Sequence, residues 1–316
     1  MDKIEHSFLN VNGVSLHVAH TGNGEKGTVL FLHGFPEIWY SWRHQMLAFA
    51  AAGFKCIAPD SRGYGLSDQP PEPESTTWDD LVADLAAILD LLSIPKVFVV
   101  GKDFGVWPAY GLALRHPHRV LAVVTLGVPF IAGPLHIETL PEGFYIHRWR
   151  EPDRAEADFG RFDVRRVIRT IYILFSRSEI PIAEPGQEIM DLADSSTPLP
   201  PWFTEEDLNA YAALYQKSLF RFPLHIPYRS LHKSSVGENP KVEVPALLIM
   251  GEEDYVFKFP GMEEYIRGGR LKQFVPELEE VVYVPEGCHF VQEQFPERIN
   301  DIILTFLENQ VKKLNE

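Results

Sequence analysis

Asp103 stands in the middle of Gly101-Lys102-Asp103-Phe104-Gly105, directly after the apolar run 97–100 and before a helical stretch predicted over 106–116. A Gly-x-Asp-x-Gly turn between a buried strand and a helix permits a sharp bend that lifts its middle side chain above the sheet edge. A carboxylate in that place is already ionised near neutral pH and needs no base before it attacks. It can displace a leaving group at saturated carbon and become an alkyl ester of the protein. The bland alternative is an Asp that only caps the next helix.

Other strand ends deliver complementary groups. The run ending at Leu32 leads into His33-Gly34-Phe35-Pro36, the run at Ala246 into Gly251-Glu252-Glu253-Asp254, and the run at Val281 into Gly287-Cys288-His289-Phe290. Open parallel sheets bind ligands at the carboxyl ends of their strands, so these loops converge on one edge. The order nucleophile, acid, histidine also recurs among hydrolases with a strand-to-helix nucleophile turn. His289 is the expected base. Asp254 is favoured as its partner because it lies furthest out along the loop, with Glu252 and Glu253 as competitors. The backbone N–H groups of Phe35 and Phe104 would form an oxyanion hole. His33 is expected to brace its loop, and Cys288 to pack.

Those loops need a scaffold, and the pattern supplies one. Residues 7–19 alternate around Asn12-Gly13, a hairpin signal. Apolar strands follow at 28–32, 55–58, 97–100 and 120–126. Helices are predicted at 39–51, at 106–116 and after Thr77, where Leu81, Leu85, Ile88, Leu89 and Leu92 make one stripe. Strands apolar throughout, alternating with helices, indicate a parallel sheet covered on both faces. From about 133 to 235 the rhythm stops, and Pro-interrupted, mixed-charge helical stretches such as 151–169 replace it. It resumes with strands at 246–250 and 281–284 and a closing helix carrying Ile299, Ile302, Ile303 and Phe306. The expected organisation is one sheet domain, 1–133 and 236–316, interrupted by a helical insertion, 134–235.

The 316 residues carry a net charge of −15 with 45% hydrophobic and 23% charged residues. That acidic balance argues against nucleic acid and anionic membrane surfaces as partners. The chain has two cysteines, no apolar run able to span a bilayer and no signal-peptide pattern at its start. A cytoplasmic protein, monomer or homodimer, without membrane insertion is expected.

His33 to His44 (His-Gly-Phe-Pro-Glu-Ile-Trp-Tyr-Ser-Trp-Arg-His), Asp60 to Asp68 (Asp-Ser-Arg-Gly-Tyr-Gly-Leu-Ser-Asp), the Asp103 turn and Gly287 to Glu293 together resemble the plant-type soluble epoxide hydrolases of the α/β-hydrolase superfamily. The resemblance runs over nearly the whole chain. It implies the α/β-hydrolase fold, a mostly parallel central sheet flanked by helices, with a helical cap inserted. It further implies two cap tyrosines that hydrogen-bond an epoxide oxygen, matching Tyr145 before Glu151-Pro152 and Tyr228 in Pro227-Tyr228-Arg229. Tyr211 and Tyr215 are nearby decoys.

The implied activity is opening of a lipophilic epoxide to a vicinal diol through an Asp103 ester, hydrolysed by water that His289 activates, with no cofactor or metal. Three features depart from the family pattern. Lys102 and Phe104 flank the nucleophile where His and Trp are usual, and the segment Leu219 to Ile226 departs, with Leu219 where Gly is common and one added residue. The alternatives are a haloalkane-type dehalogenase using the same Asp, His and acid, and a hormone-receptor-like ligand binder. Capture of the opened epoxide by the substrate's own hydroxyl would instead give a cyclic ether.

Overall fold

A computed structural model describes residues 3–70, 72–133, 137–230, 237 and 239–316. The chain opens with the hairpin β1 (Glu5–Val11) and β2 (Val14–Thr21). Its turn residues Asn12 and Gly13 have φ of 45° and 81°, the left-handed pair that a two-residue hairpin loop requires. Then come β3 (Thr28–Leu32), α1 (Arg43–Ala51) and β4 (Lys55–Pro59). They are followed by α2 (Trp78–Leu91), β5 (Val97–Lys102), α3 (Val106–Arg115) and β6 (Val120–Leu126). Thr77 starts α2 as expected, and its N–H donates to the Asp80 carboxylate at 2.7 Å.

Eight strands form one sheet in the order β1-β2-β4-β3-β5-β6, continued by β7 (Ala246–Gly251) and β8 (Leu278–Val284). The β1/β2 and β2/β4 pairs are antiparallel, and every pair from β4 to β8 is parallel. This is the mostly parallel, helix-flanked sheet that the alternation predicts. β5 lies in mid-sheet, between β3 and β6, and all six of its residues are buried. Its neighbours on both sides satisfy its backbone.

Between β6 and β7 run α4 (Tyr145–Arg150), α5 (Arg154–Phe159), α6 (Val164–Phe175), α7 (Glu205–Tyr215) and α8 (Arg221–Leu224). Among the described residues this segment has no strand beyond an isolated bridge between Phe144 and Ile182. The mixed-charge stretch 151–169 holds α5 and the start of α6. The break falls before Asp163, whose side chain accepts from the Arg166 N–H at 2.7 Å and caps α6. Residues 134, 235 and 236, where the ends of the insertion were expected, lie outside the described residues.

A buried carboxylate ties this segment to the rest. Glu293 lies on α10 (Val291–Gln294), after the short α9 (Met262–Arg267). Its Oε1 accepts from the hydroxyls of Tyr172, on α6, and Tyr211, on α7, at 2.8 and 3.0 Å. Arg43, on α1, binds Glu293 at 2.5 Å and Asp207, on α7, at 2.8 Å.

The closing helix α11 (Pro296–Asn315) packs on α1, and α2 packs on α3. Two sequence boundaries moved. The first turn of the helix expected from Trp39 is a tighter 3₁₀ turn, Trp39–Trp42. β8 starts at Leu278, before the apolar run, because Glu279 and Glu280 are both exposed on an edge strand whose register shifts there, so no apolar signal marks them. No helix among the described residues is long and apolar enough to cross a membrane.

Candidate active site

Asp103 directly follows β5 and adopts φ 49°. The left-handed region costs a non-glycine residue about 1–3 kcal/mol and persists only where the surroundings enforce it. Here they do. A Cβ on Gly105 would collide with the carbonyl oxygens of Leu32 and His33, and one on Gly34 would collide with the Asp103 carboxylate. The β3 loop therefore lies directly against the turn, and only glycines permit that approach. The consequence is a short contact across the chain, in which the Phe35 N–H donates to Oδ2 of Asp103 at 2.9 Å.

His289 lies between two carboxylates. Its Nδ1 is 3.0 Å from both oxygens of Asp254, and its Nε2 is 3.4 Å from Oδ1 of Asp103. All three side chains are buried. Asp254 is itself oriented by the Val256 N–H, which donates to its Oδ1 at 3.0 Å. The competitors fall away, since Glu252 and Glu253 are exposed while Asp254 is buried.

Electrostatics follow from this packing. Burial alone would raise the Asp103 pKa, but the hydrogen bond and charge of His289, the Lys102 ammonium and the Phe35 N–H together hold it below the ordinary carboxylate value. For His289, burial pulls the pKa down, yet the charge of Asp254 and the hydrogen bonds to both carboxylates leave it above the ordinary imidazole value.

Supporting residues surround this core. His33 accepts from the Ser61 N–H on Nε2 at 3.0 Å, which leaves its Nδ1 to donate to the Gly34 carbonyl at 2.9 Å. It braces the loop, as expected. Cys288 is buried, and burial pushes its thiol up to about 12, so it packs rather than reacts. Glu37 is bound by the Gln292 amide, and burial pushes its carboxyl up to about 7. Lys102 is fully buried, and its Nζ has no hydrogen-bond partner among the described residues.

A small, largely apolar cavity opens on Asp103. Its wall includes Phe104, Trp107, Ile131, Tyr145, Tyr255 and Met262. Tyr145 thus shares the cavity with the carboxylate. Tyr228 is buried but is not among the described lining residues; its ring packs edge-on to Phe104, Phe35 and Tyr145, with centroids 5.3, 5.6 and 6.2 Å apart. The decoys separate cleanly. Tyr211 spends its hydroxyl on Glu293, and Tyr215 stacks on Phe220 at 5.0 Å. Phe104 contributes its ring to the wall and has no N–H on its side chain.

Sequence reasoning overlooked Tyr255. Its hydroxyl is 3.4 Å from that of Tyr145, and its ring lies 4.8 Å from the His289 ring. The available signal was its place directly after Asp254.

Residues 27–296 match the family described as the alpha/beta hydrolase fold. Epoxide hydrolase 2 of Siraitia grosvenorii is 40% identical over 98% of this chain and 99% of that protein. The chain belongs to the α/β-hydrolase fold family, in its plant epoxide hydrolase branch. Among α/β-hydrolases of known structure, a mutant of the Vigna radiata epoxide hydrolase superposes with a TM-score of 0.90 at 37% identity, over 98% of this chain and all of that one. A laboratory-evolved variant of the potato epoxide hydrolase gives 0.87 at 34% identity, over 97% and 99%. Asp103 after β5, Asp254 after β7 and His289 after β8 stand at the carboxyl ends of their strands, where open parallel sheets bind ligands.

Proposed function

We propose that this protein is an epoxide hydrolase that opens a lipophilic epoxide to a vicinal diol in two steps. The observation that carries the reading is an ionised carboxylate, Asp103, facing an apolar cavity that also holds the Tyr145 phenol, with an imidazole 3.4 Å behind it. In the first step Oδ1 of Asp103 attacks an epoxide carbon and the carbon–oxygen bond breaks. The released oxygen develops negative charge, accepts hydrogen bonds from the phenols of Tyr145 and Tyr228, and takes the proton of one of them, leaving a phenolate that the second step reprotonates. Donors aimed at charge that appears only in the transition state lower the barrier directly.

The second step removes the ester. His289, held by Asp254, takes a proton from water as the water oxygen adds to Cγ of Asp103. The negative charge gathers on Oδ2, which already accepts the Phe35 N–H at 2.9 Å; the Phe104 N–H is the second donor. Cγ–Oδ1 then breaks, the leaving Oδ1 takes the proton held by His289, the diol departs, and the second water proton passes from the Asp103 acid through solvent to the phenolate, restoring both groups. The water oxygen stays on Asp103. Residues 134–235 act as the cap over this chemistry, in the aqueous setting of the cytoplasm. The apolar wall selects the lipophilic substrate. A dehalogenase would want a side-chain N–H donor next to the nucleophile, and the Phe104 ring carries none.

The test is a single turnover in ¹⁸O-water with a panel of epoxides. The first diol should carry no label, and the label should appear in the peptide containing Asp103. His289→Gln should accumulate an adduct of substrate mass on that peptide, and Asp103→Ala should form none. Halide release from haloalkanes with inert epoxides would reassign the protein as a dehalogenase. Tight binding without turnover, unaffected by Asp103→Asn, would make it a receptor, and a cyclic ether would place the second nucleophile on the substrate.

A further inference from the structure

We propose that Tyr255 is a positioning residue for epoxide opening: its hydroxyl donates to the Tyr145 oxygen and leaves the Tyr145 proton pointing at the substrate. The inference rests on the epoxide hydrolase reading above and extends it to a third phenol.

Both hydroxyls belong to buried residues that line the cavity opening on Asp103, and they stand 3.4 Å apart. A phenol has one proton to give and lone pairs to accept. If Tyr145 donated to Tyr255, it would have nothing left for the epoxide oxygen. The reverse direction keeps its proton free. Hydrogen bonds that run in series polarise one another, so a donor behind Tyr145 makes it the stronger donor in front. Separations of this length in a ligand-free site commonly shorten once substrate is bound.

The surroundings suit Tyr255 to the role. It follows Asp254 directly, and Asp254 is fixed by the Val256 N–H at 3.0 Å and by His289. The Tyr255 ring is wedged among His289, Phe175 and Phe259, with centroids 4.8, 5.1 and 5.9 Å away. The loop that orients the base therefore also orients the phenol pair. Burial raises the pKa of both phenols, which keeps both protonated.

The experiment uses His289→Gln as parent, in which the ester accumulates and its rate of formation is read by intact mass after rapid quenching. Adding Tyr255→Phe should slow alkylation about tenfold, the worth of one hydrogen bond in a transition state, with substrate Kd unchanged. Tyr145→Phe with Tyr255→Phe should be no slower than Tyr145→Phe alone, because the second hydroxyl acts only through the first. Alkylation at the parent rate in Tyr255→Phe overturns the proposal, as do effects of the two changes that simply multiply. A parent that forms no adduct with any epoxide overturns the underlying reading instead, so the two failures are distinguishable.

Discussion

Nε2 of His289 lies 3.4 Å from Oδ1 of Asp103, on the opposite side of the carboxylate group from the oxygen that the Phe35 N–H holds. One oxygen is thus kept for the oxyanion hole and the other faces the imidazole. The first step of the proposed reaction consumes the charge on this carboxylate, and that sets up a pH prediction.

In the free enzyme, burial lowers the proton affinity of His289, but Asp254 and the bond to Asp103 raise it more, and the net pKa stands above the ordinary value. Esterification makes Asp103 neutral and removes its share. The imidazole of the ester should therefore titrate lower than that of the free enzyme. Only neutral imidazole takes a proton from water, so ester hydrolysis should rise with pH through that lower pKa and then level off. Stopped-flow hydrolysis rates against pH, set beside an NMR titration of His289 in the free enzyme, measure the gap. Coincident values would mean that Asp103 does not raise the imidazole pKa.

Lys102 offers a second handle on the same imidazole. A Cβ placed on Gly127 would lie 3.1 Å from Nζ of Lys102, 3.1 Å from Oδ2 of Asp254 and 3.4 Å from Cε1 of His289. The ammonium is therefore within 3.1 + 3.4 = 6.5 Å of the imidazole. Its positive charge disfavours imidazolium. Lys102→Met should raise the His289 pKa and move the hydrolysis limb to higher pH by on the order of one unit. An unmoved profile would remove Lys102 from the electrostatics of the site.

Leu219 has φ 51° and is 51% exposed. The left-handed backbone costs a leucine about 1–2 kcal/mol, while a glycine costs about 0.4–1 kcal/mol through the unfolded chain. With little burial to lose, Leu219→Gly should stabilise the protein by about 0.5–1 kcal/mol. Urea midpoints of the two proteins test this, and a lower midpoint would mean that the leucine contributes packing beyond its backbone cost.

Glu293 joins α6 and α7 to α1 through Tyr172, Tyr211 and Arg43. Glu293→Ala leaves a buried guanidinium and two phenols without their acceptor. Removing one partner of a buried ion pair costs about 3–5 kcal/mol. The expected result is a fall in thermal midpoint, with earlier proteolysis within α6 and α7 than within the sheet. A loss of stability below about 1 kcal/mol would mean that Asp207 alone holds Arg43.

Much of this protein was legible in its residues because the relevant physics is local. A Gly-x-Asp-x-Gly turn after a valine run can be read without knowing its neighbours, since the bend depends on backbone freedom at adjacent positions. The same holds for Asn12-Gly13 and for the apolar strands that alternate with helices. The order of Asp103, Asp254 and His289 along the chain is likewise a property of the chain alone.

The tertiary structure decided what depends on long-range packing. It chose Asp254 over Glu252 and Glu253, because burial against His289 is set by a residue 35 positions away. It paired Tyr255 with Tyr145 across 110 positions, and no local pattern encodes that contact. It placed the Lys102 ammonium beside the His289–Asp254 pair, and it gave Tyr211 to Glu293 while Tyr145 went to the cavity. Backbone conformation is written in neighbouring residues, whereas the company a buried side chain keeps is fixed only when distant segments compete for the same space.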